Sequence, residues 1–308
     1  MENKKKNLIT WSLEEFKNQL ILNEQPWNFF SKQPFYDYRS SLTINQKIYE
    51  GRGVSSSQTQ AITACIAEAL ERYAIDFQNK KHPSNGRAVH LSKEQAILNS
   101  RAELIERHFV MLYTLGYANT ETVDLDLLPK NLKYSILELY EKNIEVKFYK
   151  LYEADKDVVI ICNISGLKSS PNFGMTFGSS CKKTLDDGII ASYLEALPNV
   201  MAHFNQNITT ITLTDFKKIE YPKPTDHLSL YLDVEFATDY QANVKTHSLE
   251  NKKIDYNLFC SEEIHYPYSA ILPAIRSTHP DCIEAQWGLL PLNFSPKNLN
   301  IDYPLVLP

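Results

Sequence analysis

Apolar and polar positions divide the chain into recognisable segments. An amphipathic stretch surrounds Trp11–Leu22, and Thr43–Tyr49 alternates as a strand does. Gly51-Arg52-Gly53-Val54 reads as a turn, and Ser55, Ser56 and Ser57 offer caps for a long helix over Thr59–Phe77. Residues 78–90 form a polar loop. Ser92, with Gln95 three residues on, predicts a capping box and a second helix to Leu115. Helical spacing returns over Leu127–Lys142, and Glu145–Lys150 and Asp157–Ile164 read as strands. Phe173–Ser180 is a glycine-spaced loop or strand. Thr184, Asp186 and Asp187 then cap a third helix reaching Phe204, which Pro198 should kink or end early. Residues 208–290 mix short strands with helix-like pieces, and Pro291–Pro308 is punctuated by proline and extended. The pattern predicts an α+β fold, mixed or antiparallel sheets packed with long helices. It places an N-terminal segment, residues 1–40, lightly attached to a main domain, residues 41–308.

Composition narrows the function. The net charge of −5 gives no support for binding nucleic acid through its phosphates. The nine glycines form neither G-x-x-x-x-G-K-S/T nor G-x-G-x-x-G, so phosphate loops of the P-loop, Rossmann and kinase kinds are not indicated. Five scattered cysteines match neither a disulfide framework nor a zinc site. The basic start MENKKK is not followed by the apolar run of a signal peptide, and no apolar stretch is long enough to span a membrane. The expected location is the cytoplasm.

The chemistry concentrates in a repeated hexapeptide. Ala67-Glu68-Ala69-Leu70-Glu71-Arg72 recurs 35 residues later as Ala102-Glu103-Leu104-Ile105-Glu106-Arg107. The first copy lies in AITACIAEALERYAI, which reads as a helix buried nearly all round. Each copy can be a set of local ion pairs on a helix face. Alternatively the carboxylates converge on a divalent cation and the arginines meet anionic oxygens, since Mg²⁺ prefers hard oxygen ligands and Arg suits phosphate. Glu195 stands alone in a third apolar helix, where it can equally be a satisfied core acid. His82, His90 and His108 lie near the motifs without a catalytic pattern, and Cys65 reads as core.

These residues resemble the YcaO superfamily. GRGVSSSQTQAITACIAEALERYA (51–74) is similar to its first motif, SKEQAILNSRAELIERHF (92–109) to its second and GSSCKKTLDDGIIASYLEAL (178–197) to its third. The resemblance implies ATP-dependent activation of peptide backbone amides, with ATP and Mg²⁺ as cofactors. The likeness carries Glu68, Glu71, Glu103 and Glu106 over as magnesium ligands, and Arg72, Arg107 and Glu195 as nucleotide contacts; it assigns no catalytic residue. It implies an azoline-forming cyclodehydratase subunit that acts on a ribosomally made precursor peptide in bacteriocin-type biosynthesis. A separate leader-binding protein and a homodimer are the implied partners. The alternatives are thioamide formation with a TfuA-type partner and a non-catalytic scaffold with a decayed site. Gln95 departs from the family pattern, as do Pro198 and Val200 in the third motif. The ending YPLVLP carries only Pro304 and Pro308 of the proline-rich tail seen in azoline-forming members.

Overall fold

The computed structural model describes residues 2–78, 85–114, 118–124, 126, 128–154, 156–167, 173–206, 208–220, 222–243 and 253–283. The C-terminal tail 291–308 and His82 lie outside the described residues. The chain divides into two compact units, one of residues 1–104 with 255–282 and the other of residues 105–254 with 283–308.

In the first unit, β1 (Leu20–Glu24), β2 (Tyr36–Ile44) and β3 (Lys47–Ser55) form an antiparallel sheet. The predicted strand Thr43–Tyr49 is therefore two strands. Asn45 (φ 50°) and Gln46 (φ 66°) turn the chain between them, the paired positive dihedrals of a tight hairpin whose twist matches its strands. Helices α1 (Glu2–Glu15) and α2 (Gln58–Phe77) share one core with this sheet, where Leu8, Phe16, Leu42, Ile66 and Leu70 are buried. Each such apolar side chain contributes about 1.5–3 kcal/mol through burial. Residues 1–40 thus supply a helix, one full strand and half of another to the motif helix's own core, and are not lightly attached.

Gly51 and Gly53 lie inside β3 rather than in a turn. A Cβ on Gly51 would stand 2.0 Å from the Cys65 carbonyl oxygen, and one on Gly53 the same distance from that of Ala61. Glycine is used here because the backbone of α2 lies directly on the strand. Only one face of α2 is buried, through Ala61, Cys65, Ile66, Ala69, Leu70, Tyr73 and Ala74. The helix is not enclosed all round, and Glu68, Glu71 and Arg72 occupy its open side beside Ala64 and Ala67. Ser57 occupies the N-cap position but makes no side-chain cap. A second antiparallel sheet has the order β4 (Arg87–Val89), β10 (Ala274–Thr278), β9 (Cys260–Ile264).

Helix α3 (Lys93–Thr114) carries the boundary between the units, between Leu104 and Ile105. The Ser92 hydroxyl caps it by accepting from the Gln95 N–H at 3.2 Å. The Gln95 side chain turns instead to Asn99, so only half of the expected capping box forms.

The second unit is built on an antiparallel meander of β5 (Glu121–Thr122), β6 (Ile144–Ala154), β7 (Asp157–Gly166) and β8 (Met175–Lys182). Helix α4 (Lys130–Glu141) packs on β6, and α5 (Leu185–Gln206) on β7 and β8. The short helices α6 (Leu213–Phe216), α7 (Pro224–Tyr231) and α8 (Val234–Asn243) follow. Thr184 caps α5 as expected, accepting from the Asp187 N–H at 3.2 Å. Pro198 does not end α5, which runs on to Gln206. Proline removes one helical hydrogen bond, but Ala196, Leu197, Val200 and Met201 are buried around it and hold the helix together. Among the described residues no helix is long and apolar enough to cross a membrane.

Candidate active site

One local device occurs three times. In each case the strand residue that follows a glycine donates its backbone N–H to a glutamate 16 positions later, on the next helix. Arg52 donates to Glu68 (2.7 Å), Arg87 to Glu103 (2.7 Å) and Ser179 to Glu195 (3.3 Å). The preceding glycines are Gly51, Gly86 and Gly178. A Cβ on Gly178 would lie 2.2 Å from the Ser192 carbonyl oxygen, so α5 lies on β8 as α2 lies on β3. Each glutamate satisfies a strand amide with one carboxylate oxygen.

In the first unit these bonds assemble a cluster of three carboxylates. Arg52 is anchored on the buried Asp37 through Nε at 3.0 Å, and Asp37 also accepts from Trp27 Nε1 at 2.8 Å. That anchor fixes the amide which orients Glu68. The other Glu68 oxygen meets Arg72 at 2.6 Å, an exposed i,i+4 pair. On β4 the even-numbered positions bond β10, as His90 N–H does to the Pro273 carbonyl. The odd-numbered amides point the other way. Arg87 thus reaches Glu103, and Val89 reaches Glu71. Burial pushes the Glu71 carboxyl well above its ordinary value, and the charges of Glu103 and Glu68 push it further; the Val89 amide and Arg72 act against them.

The second unit holds a separate pair. Glu106 accepts from the Ser179 hydroxyl at 2.7 Å and from the Cys181 N–H at 3.1 Å. Ser179 therefore serves both acids, Glu106 with its hydroxyl and Glu195 with its amide. Glu195 keeps an exposed face, yet the protein crowded around it and then the charge of Glu106 push its pKa up to about 8. Arg107, the Ser179 amide and Lys182 pull the other way. Glu195 is thus a member of an acidic pair, not an isolated core acid.

The histidines have other work. His108 Nδ1 accepts from the Ile283 N–H at 3.1 Å and His90 Nδ1 from the Ser92 N–H at 3.3 Å. Cys65 is buried, donates to the Ile62 carbonyl at 3.1 Å and has its pKa pushed up to about 12, chiefly by burial, so it is no nucleophile. Arg52, Val89, Ser179 and Lys182 were not singled out from the sequence. The signal was nonetheless there, as a glycine 17 residues before each of Glu68, Glu103 and Glu195.

The sign of the pH effect follows from the raised pKa. Glu195 holds its proton in the fold at pH values where an unfolded chain has released it. Folding therefore takes up protons between the ordinary value of 4.5 and about 8. The stability of the ligand-free protein should fall as pH rises through that window, with the Glu195 contribution complete above it. Thermal melts across the window should give a shallower slope for Glu195→Gln than for wild type. Equal slopes would refute the assignment.

These features define an α+β protein with acidic helix faces laid on antiparallel sheets and no glycine-rich phosphate cradle. A family model described as "YcaO cyclodehydratase, ATP-ad Mg2+-binding" matches residues 78–258, more than half of the chain, and the chain belongs to the YcaO family. The matched range holds the second and third motifs; the first lies ahead of it. No curated protein matches in sequence. Among solved structures it is similar to a heterocyclase in complex with substrate and cofactor (TM-score 0.60, 11% identity), covering 91% of this chain and 52% of that one. The chain thus spans about half the length of that heterocyclase. It is also similar to a chain of the E. coli microcin synthetase McbBCD complex with pro-MccB17 bound (0.59, 12%, covering 86% and 88%). The third is YcaO from Methanopyrus kandleri bound with AMPPCP and Mg²⁺ (0.54, 12%, 91% of each chain). At these identities the likeness is one of fold.

ATP and Mg²⁺ are the cofactors of this family member. The chain's donors fit them. Carboxylate oxygens are hard ligands; the Glu71 and Glu195 carboxyls are raised first by burial and next by a neighbouring carboxylate, and a divalent cation beside them would offset that second effect. Among the described residues no three acidic, histidine or cysteine side chains already surround a single metal position. Mg²⁺ commonly takes one or two carboxylates and completes its shell with water and phosphate, so the donors need not form a protein cage.

Proposed function

We propose that the protein is the ATP- and Mg²⁺-dependent, amide-activating subunit of an azoline-forming cyclodehydratase. It acts on a ribosomally made precursor peptide together with a separate leader-binding partner. ATP, when bound, supplies the phosphoryl group that turns an amide oxygen into a leaving group.

The chain's own residues hold and neutralise. Glu68, Glu71 and Glu103 hold magnesium in the first unit, and Glu106 holds it in the second. Arg72 and Arg107 meet phosphate oxygens, Arg72 by giving up its exposed bond to Glu68. Glu195 completes the nucleotide contacts, with its ionisation set by Glu106 and Arg107. Ser179 keeps both acids of the second unit in place. Phosphoryl transfer demands mainly positioning and charge neutralisation, which this residue set can supply.

The observation that carries the reading is the gathering of three carboxylates, Glu68, Glu71 and Glu103, around the cation Arg72 in the first unit, on residues that match the family motifs. The similar structures support it by their named contents, a substrate and cofactor in one and pro-MccB17 in another.

Co-expression with the precursor and partner, followed by mass spectrometry of the precursor, tests it. Loss of one water per modified site is expected. Exchange of oxygen for sulfur would replace the azoline assignment with thioamide formation. An unchanged precursor, together with no Mg²⁺-dependent ATP binding, would leave only a scaffold.

A further inference from the structure

Helix α4 buries Leu132, Ser135 and Leu139 against its own unit, where Ser135 accepts from the Tyr193 hydroxyl at 2.9 Å. Its outer side is unusual. Tyr134 (73% exposed), Leu137 (58%) and Tyr140 (60%) stand in solvent on three successive turns. Single exposed hydrophobic residues need no explanation, but a contiguous strip of large ones on one short helix marks an interaction surface.

The charges flanking the strip say what covers it. Lys130, Tyr134, Leu137 and Glu141 follow the i, i+4, i+7, i+11 spacing of one helix face, basic at its N-terminal end and acidic at its C-terminal end. Laid antiparallel on a second copy of itself about a two-fold axis at mid-helix, this face is self-complementary. Lys130 meets Glu141 at each end, Tyr134 meets Leu137 on both sides of the centre, and Lys133 comes opposite Glu138. An isologous interface requires this of a surface, that residue i meet j while j meets i. A parallel arrangement would instead set Lys130 against Lys130 and Glu141 against Glu141.

We propose that α4 is the self-association surface of this protein, packing antiparallel against α4 of a second copy with Tyr134 and Leu137 interleaved at the centre. This gives the homodimer expectation a location and does not rest on the ATP chemistry.

The test uses charge reversal in the full-length protein, followed by sedimentation equilibrium. Wild type should be a dimer at micromolar concentration. Lys130→Glu alone, or Glu141→Lys alone, turns two attractive pairs into two repulsive ones and should weaken the dimer about tenfold. The double variant Lys130→Glu with Glu141→Lys restores opposite charges at both ends and should recover the wild-type constant. Leu137→Lys, at an exposed site with little bearing on folding, should give a monomer with unchanged circular dichroism. A monomeric wild type would overturn the proposal, as would a dimer indifferent to Leu137→Lys or single reversals that the double variant fails to rescue.

Discussion

Glu103→Gln is expected to reduce Mg²⁺-dependent ATP consumption roughly a hundredfold or more, the usual scale for losing one electrostatic element of a site. The substitution is nearly isosteric. The amide oxygen of Gln can still accept from the Arg87 N–H, so the join between β4 and α3 is retained. What disappears is one negative charge beside Glu71, whose proton is held first by burial and next by Glu103. The same variant should raise the melting temperature of the ligand-free protein, because like-charge repulsion in the fold is relieved. Opposite changes in activity and stability separate a functional cluster from a structural one. If Glu103 serves only to satisfy a strand amide, activity should be nearly unchanged and stability should not rise. Malachite-green phosphate release in the presence of precursor and partner gives the first readout, and differential scanning calorimetry the second.

The largest loss of stability is expected from Gly51→Ala, about 3 kcal/mol, the upper end for overpacking. The added methyl would sit 2.0 Å from the Cys65 carbonyl oxygen and 2.7 Å from the Ala69 nitrogen, both backbone atoms that no rotamer change can move. Strand β3 must then lift from α2, and the Arg52 amide moves away from Glu68 with it. Urea unfolding followed by circular dichroism measures the effect. A change under about 0.5 kcal/mol, the usual range for surface substitutions, would mean that strand and helix are not in this contact.

The helices of the two E-x-x-E-R segments were legible because their apolar spacing is strong and long. The observed limits Gln58 and Phe77 of the first and the start Lys93 of the second fall within a residue of those expected, and the expected end of the second, Leu115, lies outside the described residues. The strand around Thr43–Tyr49 was misread because alternation continues through Asn45-Gln46, and only the positive dihedrals there reveal a turn. The glycine pair Gly51 and Gly53 was read as a turn for the opposite reason. Glycine serves both a turn and a close backbone approach, and its one-letter code does not say which. Pro198 was given a helix-ending role because local rules weigh the missing hydrogen bond but not the burial of Ala196, Leu197 and Val200.

Sequence by itself determined which residues carry charge on otherwise apolar helices, their duplication at a constant spacing, and through them the family. Those properties are local, since helix periodicity and residue type are written directly in the chain. Tertiary structure decided how the acids are grouped. The sequence places four glutamates in two equal pairs with Glu195 apart, whereas folding sets Glu68, Glu71 and Glu103 together in one unit and Glu106 beside Glu195 in the other. The amides of β4 make the first grouping and Ser179 the second, by hydrogen bonds between elements up to 73 residues apart. Such bonds depend on which strand edge faces which helix, and that is settled only when the sheets pack.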